Sequence, residues 1–114
     1  MGNGIKVSDI KTDDISITPS PYYNPTIYGK RSGNVVSITI DSTGSLSPRA
    51  WREIGTIDNA VDRPKELIGA VIASSSVNMF ALVEITTAGV IQIYDYTQDG
   101  SQHTFGHTTI TYIV

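Results

Sequence analysis

The side chains able to do chemistry crowd into one stretch near the end of the chain. Tyr94, Asp95 and Tyr96 are consecutive, and Asp99, His103 and His107 follow within a dozen residues. His103 and His107 lie four residues apart. On a helix that spacing would place both imidazoles on one face, as zinc motifs require. Here it falls in a glycine-containing loop that leads into a strand. The geometric basis for a metal site is missing, and both histidines are expected to face solvent. Asp95 and Asp99 would be the further ligands; no metal and no cofactor is expected. What the cluster does suit is a sugar. Tyrosine rings can stack on it, and a carboxylate and imidazoles can take its hydroxyls.

Catalytic arrangements are not encoded. There is no Gly-x-Ser-x-Gly elbow, and Ser74-Ser75-Ser76 reads as a turn. Glycoside hydrolysis needs two acids across a cleft. Asp95 and Asp99 share one loop, Asp58 and Asp62 another, and no pair stands out. Cysteine is absent, which excludes disulfides, thiolate metal sites and thiol nucleophiles. No enzyme is expected. The other aromatic candidates are Trp51 and the loop tyrosines Tyr22 and Tyr23. Trp51 could be a stacking platform for a pyranose, but a lone tryptophan in an alternating strand is expected to pack in the core. Exposed tyrosines supply rigid amphipathic contact area, usable for a ligand or for another copy of the chain.

The elements that must hold these residues are strands. The chain has 114 residues, of which 16 are Ile, 9 Val and 13 Thr, against 3 Leu. Branching at Cβ crowds a helix and suits a pleated sheet. Val36, Ile38 and Ile40 alternate with Val35, Ser37, Thr39 and Asp41 over residues 34–42, the period of a half-buried strand. Similar runs occupy 14–18, 26–31, 49–57, 65–73, 77–86, 90–96 and 108–114. Pro19 and Pro21 stop the first of these. Thr87-Ala88-Gly89 forms a hairpin turn. In residues 77–86, Met79, Ala81, Val83 and Ile85 share one face, and Phe80 and Leu82 the other. That strand is expected to be covered on both sides. About eight short strands at regular spacing predict an all-β, antiparallel, jelly-roll-like β-sandwich. A single small sandwich of this kind rarely encloses a substrate cleft.

Charge and hydropathy narrow the partners. The net charge is −3, and every Lys and Arg lies at or before Lys65. No basic cluster is available to displace counterions, so no nucleic acid is expected. No apolar run approaches the roughly 18 residues that cross a bilayer. Met1-Gly2-Asn3-Gly4 opens without the apolar core of a signal peptide. Residues 1–24 read as an N-terminal connecting segment and 25–114 as the β-sandwich domain. The last strand runs to the terminus and leaves little room for a further domain, whereas the first residues could join something upstream.

Residues 30–114 resemble the C-terminal head domains of tail-tip or baseplate proteins from phages of Gram-positive bacteria. The shared features are ordered along the chain. Lys30-Arg31-Ser32-Gly33-Asn34-Val35-Val36 leads into the long strand, and a Gly-Ser turn precedes Trp51-Arg52-Glu53-Ile54-Gly55-Thr56-Ile57. Arg63-Pro64 follows, then a small-residue strand, the hairpin Ala88-Gly89-Val90-Ile91-Gln92-Ile93-Tyr94, and Thr109-Ile110-Thr111-Tyr112-Ile113-Val114. Such chains often read Leu-Pro before the Arg-Pro loop, where Ile57 to Asp62 stand here. The resemblance implies a sandwich or jelly-roll head, usually a homotrimer, that adheres to host cell-wall saccharide and joins other tail proteins. It implies residence in the virion after synthesis in the host cytoplasm. Tyr94, Asp95, Tyr96, His103 and His107, with Trp51, are then the expected ligand-binding residues. Two alternatives stand beside it: a structural tail or baseplate module without a ligand, and a trimeric jelly-roll resembling tumour-necrosis-factor-like heads that binds proteins.

Overall fold

Val36, Ile38 and Ile40 all point inward and are fully buried, as their alternation requires. The structure, a computed structural model, describes residues 12–114. Nine strands occur among them: β1 (Asp13–Ile15), β2 (Ile17–Pro19), β3 (Thr26–Ser32), β4 (Val35–Ser42), β5 (Trp51–Ile57), β6 (Ile68–Ala73), β7 (Phe80–Ile85), β8 (Val90–Tyr94) and β9 (Thr108–Ile113). They form a four-stranded sheet, β1-β3-β4-β9, and a five-stranded sheet, β2-β5-β8-β7-β6. Every neighbouring pair is antiparallel. The sheets are the two layers of a β-sandwich. Val36, Ile38, Ile40 and Ile110 of the first meet Ile54, Val83, Ile85, Ile91 and Ile93 of the second, and Leu46 and Phe105 fill in from connecting segments. Each fully buried aliphatic side chain contributes about 1.5–3 kcal/mol relative to exposure.

Three sequence expectations need correction. Residues 14–18 are not one strand. The chain crosses from one sheet to the other at Ser16, so β1 pairs with β3 and β2 pairs with β5. Asp58 fixes the crossing by accepting the hydroxyls of Ser16 at 2.6 Å and Thr18 at 2.7 Å, and these hydrogen bonds lower its pKa. The split accounts for nine strands where about eight were expected. It also gives residues 13–19, read as connecting segment, an edge strand in each sheet; residues 1–11 lie outside the described residues. The third correction concerns β7. Ala81, Val83 and Ile85 are buried, but Phe80 on the opposite face is 65% exposed, because the sandwich has only two layers and this face looks outward.

Two loops are tied down by specific contacts. The connection after β5 contains a single 3-10 turn at Ala60–Asp62. Arg31 donates from Nη1 to the Asp62 carboxylate at 2.8 Å and to the Val61 carbonyl at 2.9 Å, and the buried Tyr112 hydroxyl donates to the Asp62 carbonyl. Arg63 of the Arg-Pro pair donates to the carbonyls of Ile57 and Asp58. The β7–β8 hairpin turns at Gly89, whose φ of +84° is left-handed. A Cβ there would sit 2.8 Å from the Ile57 carbonyl oxygen, so this position needs glycine twice over.

Candidate functional site

The outer face of the five-stranded sheet is built by the pairing of β5 with β8. Trp51 lies opposite Tyr94 in that register. Their rings meet edge to face, with centroids 5.4 Å apart, and Tyr94 in turn lies 4.6 Å from Tyr96. The row continues across the sheet through Leu82 to Val71. Trp51 is 39% exposed and Tyr96 57% exposed. Trp51 is therefore a surface residue and not the core residue expected from its strand. The cause is an irregularity in β5: the register shifts between Glu53 and Gly55, so Ile54 and Gly55 are buried in succession. Trp51 falls on the outward side of that shift.

Asp95 follows Tyr94 and points the other way. It is 1% exposed, and its carboxylate is fully engaged. Oδ1 accepts the Thr97 backbone N–H at 2.9 Å and the Thr97 hydroxyl at 2.7 Å, while Oδ2 takes His103 Nδ1 at 2.8 Å. The other ring nitrogen of His103 meets Asp99 Oδ2 at 2.9 Å. At 2% exposure His103 is not the solvent-facing residue expected. It is drawn inward because the 97–102 loop folds back over it and backbone bonds join it to Leu46 on both sides. Both ring nitrogens face carboxylates, and each is satisfied only as a donor, which selects the imidazolium. The Asp95 hydrogen bond raises the His103 pKa against a smaller opposing effect of burial, with Asp99 adding to the rise. For Asp95, burial is the largest single influence and pushes upward, but the bonds from His103 and Thr97 together bring its pKa below the ordinary value.

The structure thus joins Trp51, Tyr94 and Tyr96 at the surface and sets Asp95 and His103 behind them as an internal brace. His107 stands apart. It is exposed and pairs with Asp41 of β4, in the other sheet, at 3.1 Å. Among the described residues, no group of three or more His, Asp or Glu side chains is placed to hold a metal ion.

A second feature adjoins Trp51. Strand β2 runs beside β5 only from Gly55 to Ile57, because prolines at 19 and 21 end it. The Trp51–Glu53 half of β5 is left without a strand on that side. The gap is a cleft of about 390 Å³, bordered by the Ser20–Tyr23 loop, Trp51, Arg52 and Glu53. The sequence offered Arg52 and Glu53 only as part of the Trp51 strand motif and gave them no ligand role. The signal available was the pair of prolines ending a strand opposite the tryptophan.

No family model matches the sequence, and no curated protein matches it. Among solved structures it is similar to the head domain of the lactococcal phage bIL170, described with the receptor-binding domains of lactococcal phages. The likeness has a TM-score of 0.63 at 11% identity, and it covers 93% of this chain and 99% of that one. The chain has the fold of that phage head domain.

Proposed function

We propose that this domain is the receptor-binding head of a phage tail, carried in the virion and attached to other tail proteins. It adheres to a saccharide of the host surface without transforming it. The observation that carries the proposal is the exposed aromatic face. Tryptophan and tyrosine seldom remain together at a surface unless they are used, and here Trp51, Tyr94 and Tyr96 form a continuous strip on a fold shared with a receptor-binding head. Flat rings match the apolar face of a pyranose, and the tyrosine hydroxyls can bond its substituents. Asp95 and His103 serve by holding the strip in place. His107, on the other sheet, lies outside this platform.

The same face supports a homotrimer. Phe80, Val71 and the half-buried Leu82 extend the strip over β6 and β7 as a shallow apolar hollow of about 290 Å³. The outer face of the other sheet is more mixed: Ser37 pairs with Thr111 and Thr39 with Thr109 through hydroxyls, beside the exposed Tyr28, Val35 and Ile113. A second copy covering Phe80 and Val71 would account for the apolar second face of β7 and, because Tyr96 also borders the hollow, would leave the glycan at the edge of the interface on Trp51 and Tyr94. Light scattering should give the mass of three chains, and Phe80→Lys should shift it towards one; a wild-type monomer would contradict the trimer. For the receptor reading, the wild type should sediment with purified host cell walls, and Tyr94→Ala should remain in the supernatant. Wild-type protein that binds no cell wall would contradict it.

A further inference from the structure

We infer that the cleft between the Ser20–Tyr23 loop and β5 is a second sugar subsite. It takes an uncharged glycosyl unit next to the one on the Trp51–Tyr94–Tyr96 strip, so that the head reads at least two consecutive units. The inference rests on the receptor reading above and extends it to the length and charge of the glycan. Trp51 belongs to both features: it meets Tyr94 edge to face and also lines the cleft. A chain of sugars lying across the strip therefore runs into the cleft. The volume of about 390 Å³ falls in the range of small-molecule sites. Tyr22 stands on the far wall, 83% exposed, its ring held edge to face against Tyr23 at 6.4 Å. Truncating so exposed a ring removes little packing, so its placement is open to direct test.

The polar groups define the ligand class. The charged residues of the lining are Arg52 and Glu53, one of each sign. Arg52 is held in place by its Nε, which donates to the Ser47 carbonyl at 3.0 Å. Adjacent opposite charges cancel at a distance and offer both donors and acceptors at close range. That pattern fits hydroxyls, which need both, better than phosphate or carboxylate, which Glu53 would repel. The remaining lining is Trp51 with tyrosine, serine, threonine, proline and glycine, all uncharged.

The test is a printed array of bacterial oligosaccharides, neutral and phosphorylated, running from single sugars to tetrasaccharides. The wild type should retain neutral glycans of two or more units and release single units. Retention should hardly change between about 50 and about 500 mM salt, since uncharged contacts are not screened. Tyr22→Ala and Glu53→Gln should each weaken binding about tenfold, the effect of one stacking or hydrogen-bonding contact. Tyr22→Leu keeps the bulk without the aromatic ring and should weaken binding similarly. Melting temperatures equal to the wild type's establish that the variants are folded. Variants of Tyr22 and Glu53 that bind as the wild type does, while Tyr94→Ala does not, overturn the subsite and leave the strip standing. A steep loss of binding with salt overturns the uncharged ligand. A wild type that retains no glycan defeats the receptor reading, and the subsite with it.

Discussion

Replacing Asp95 by asparagine tests whether the buried brace holds the loop behind the aromatic strip. Asn keeps the size and an acceptor for Thr97, so the change isolates the charge opposite His103. The wild-type carboxylate takes three hydrogen bonds, at 2.7, 2.8 and 2.9 Å, in a site sealed from solvent. Hydrogen bonds to a charged group contribute about 1.5–3 kcal/mol each, and a neutral one about 1 kcal/mol. Exchanging the first kind for the second at His103 should cost about 0.5–2 kcal/mol. At roughly 4 °C per kcal/mol for a domain near 100 residues, that is a fall of about 2–8 °C in Tm. Asp95→Ala, which leaves the buried donors unpaired, should cost about 3–5 kcal/mol. Calorimetry at about pH 5.5 reads both, with His103 charged in the wild type.

The same experiment has a pH arm. The His103 pKa is raised in the fold, so its contribution is complete below the ordinary value of 6.5 and is lost as pH rises through the folded value. The Asp95 pKa is lowered, so its contribution is complete above the ordinary 3.8 and is lost as pH falls through the folded value. Wild-type stability from this pair should therefore be greatest between those two ordinary values and decline on the alkaline side. In Asp95→Asn the alkaline decline should shrink, with Asp99 alone left to hold the charge. An Asn variant that melts within about 2 °C of the wild type would refute the brace. So would a wild type whose Tm fails to decline as pH rises through the titration of His103.

Other consequences are more local. Ile93→Ala empties a fully buried position between the sheets and should cost about 2–5 kcal/mol by urea unfolding, with an unchanged m-value. Gly89→Ala forces a Cβ against the Ile57 carbonyl at a positive φ and should cost about 1–3 kcal/mol, whereas Ala88→Gly in the same turn should cost less than about 1 kcal/mol. Tyr112→Phe removes the hydroxyl bonded to the Asp62 carbonyl and should cost about 1–2 kcal/mol. In the wild type, burial first and then the Asp62 charge push the Tyr112 phenol up to about 12, so ultraviolet titration should show an ionisation well above the ordinary phenol value of about 10 that Tyr112→Phe removes.

The β-branched composition made the sheets legible, since Val36, Ile38 and Ile40 alternate cleanly and Ile91 and Ile93 do the same in β8. The crossing at Ser16 was not legible. Ile15 and Ile17 look like neighbours on one face, and only the distant Asp58 shows why the chain changes sheets between them. The strand-like run over 90–96 was legible, and Tyr94 and Tyr96 share one face with Asp95 on the other because the period of two survives past the end of β8. Trp51 was misread because a register shift in β5 follows it, marked in the sequence only by Gly55 and the odd spacing of Ile54 and Ile57. His103 was misread for a different reason. Its burial depends on two carboxylates and on Leu46, which loop closure brings together from remote positions. Periodicity reports which way a residue points in a strand; it does not report what a loop will fold over.

The most direct measurement is the binding of wild type, Trp51→Ala and Tyr94→Ala to purified host cell walls, at matched folding, with free wall polysaccharide as competitor. A recognition surface on β5 and β8 predicts saturable wild-type binding that the polysaccharide competes away. It also predicts that each truncation weakens binding at least about tenfold, the loss expected for one aromatic stacking contact. Equal binding by all three proteins would place recognition elsewhere on the head, and wild-type binding that free polysaccharide leaves unchanged would contradict a saccharide receptor.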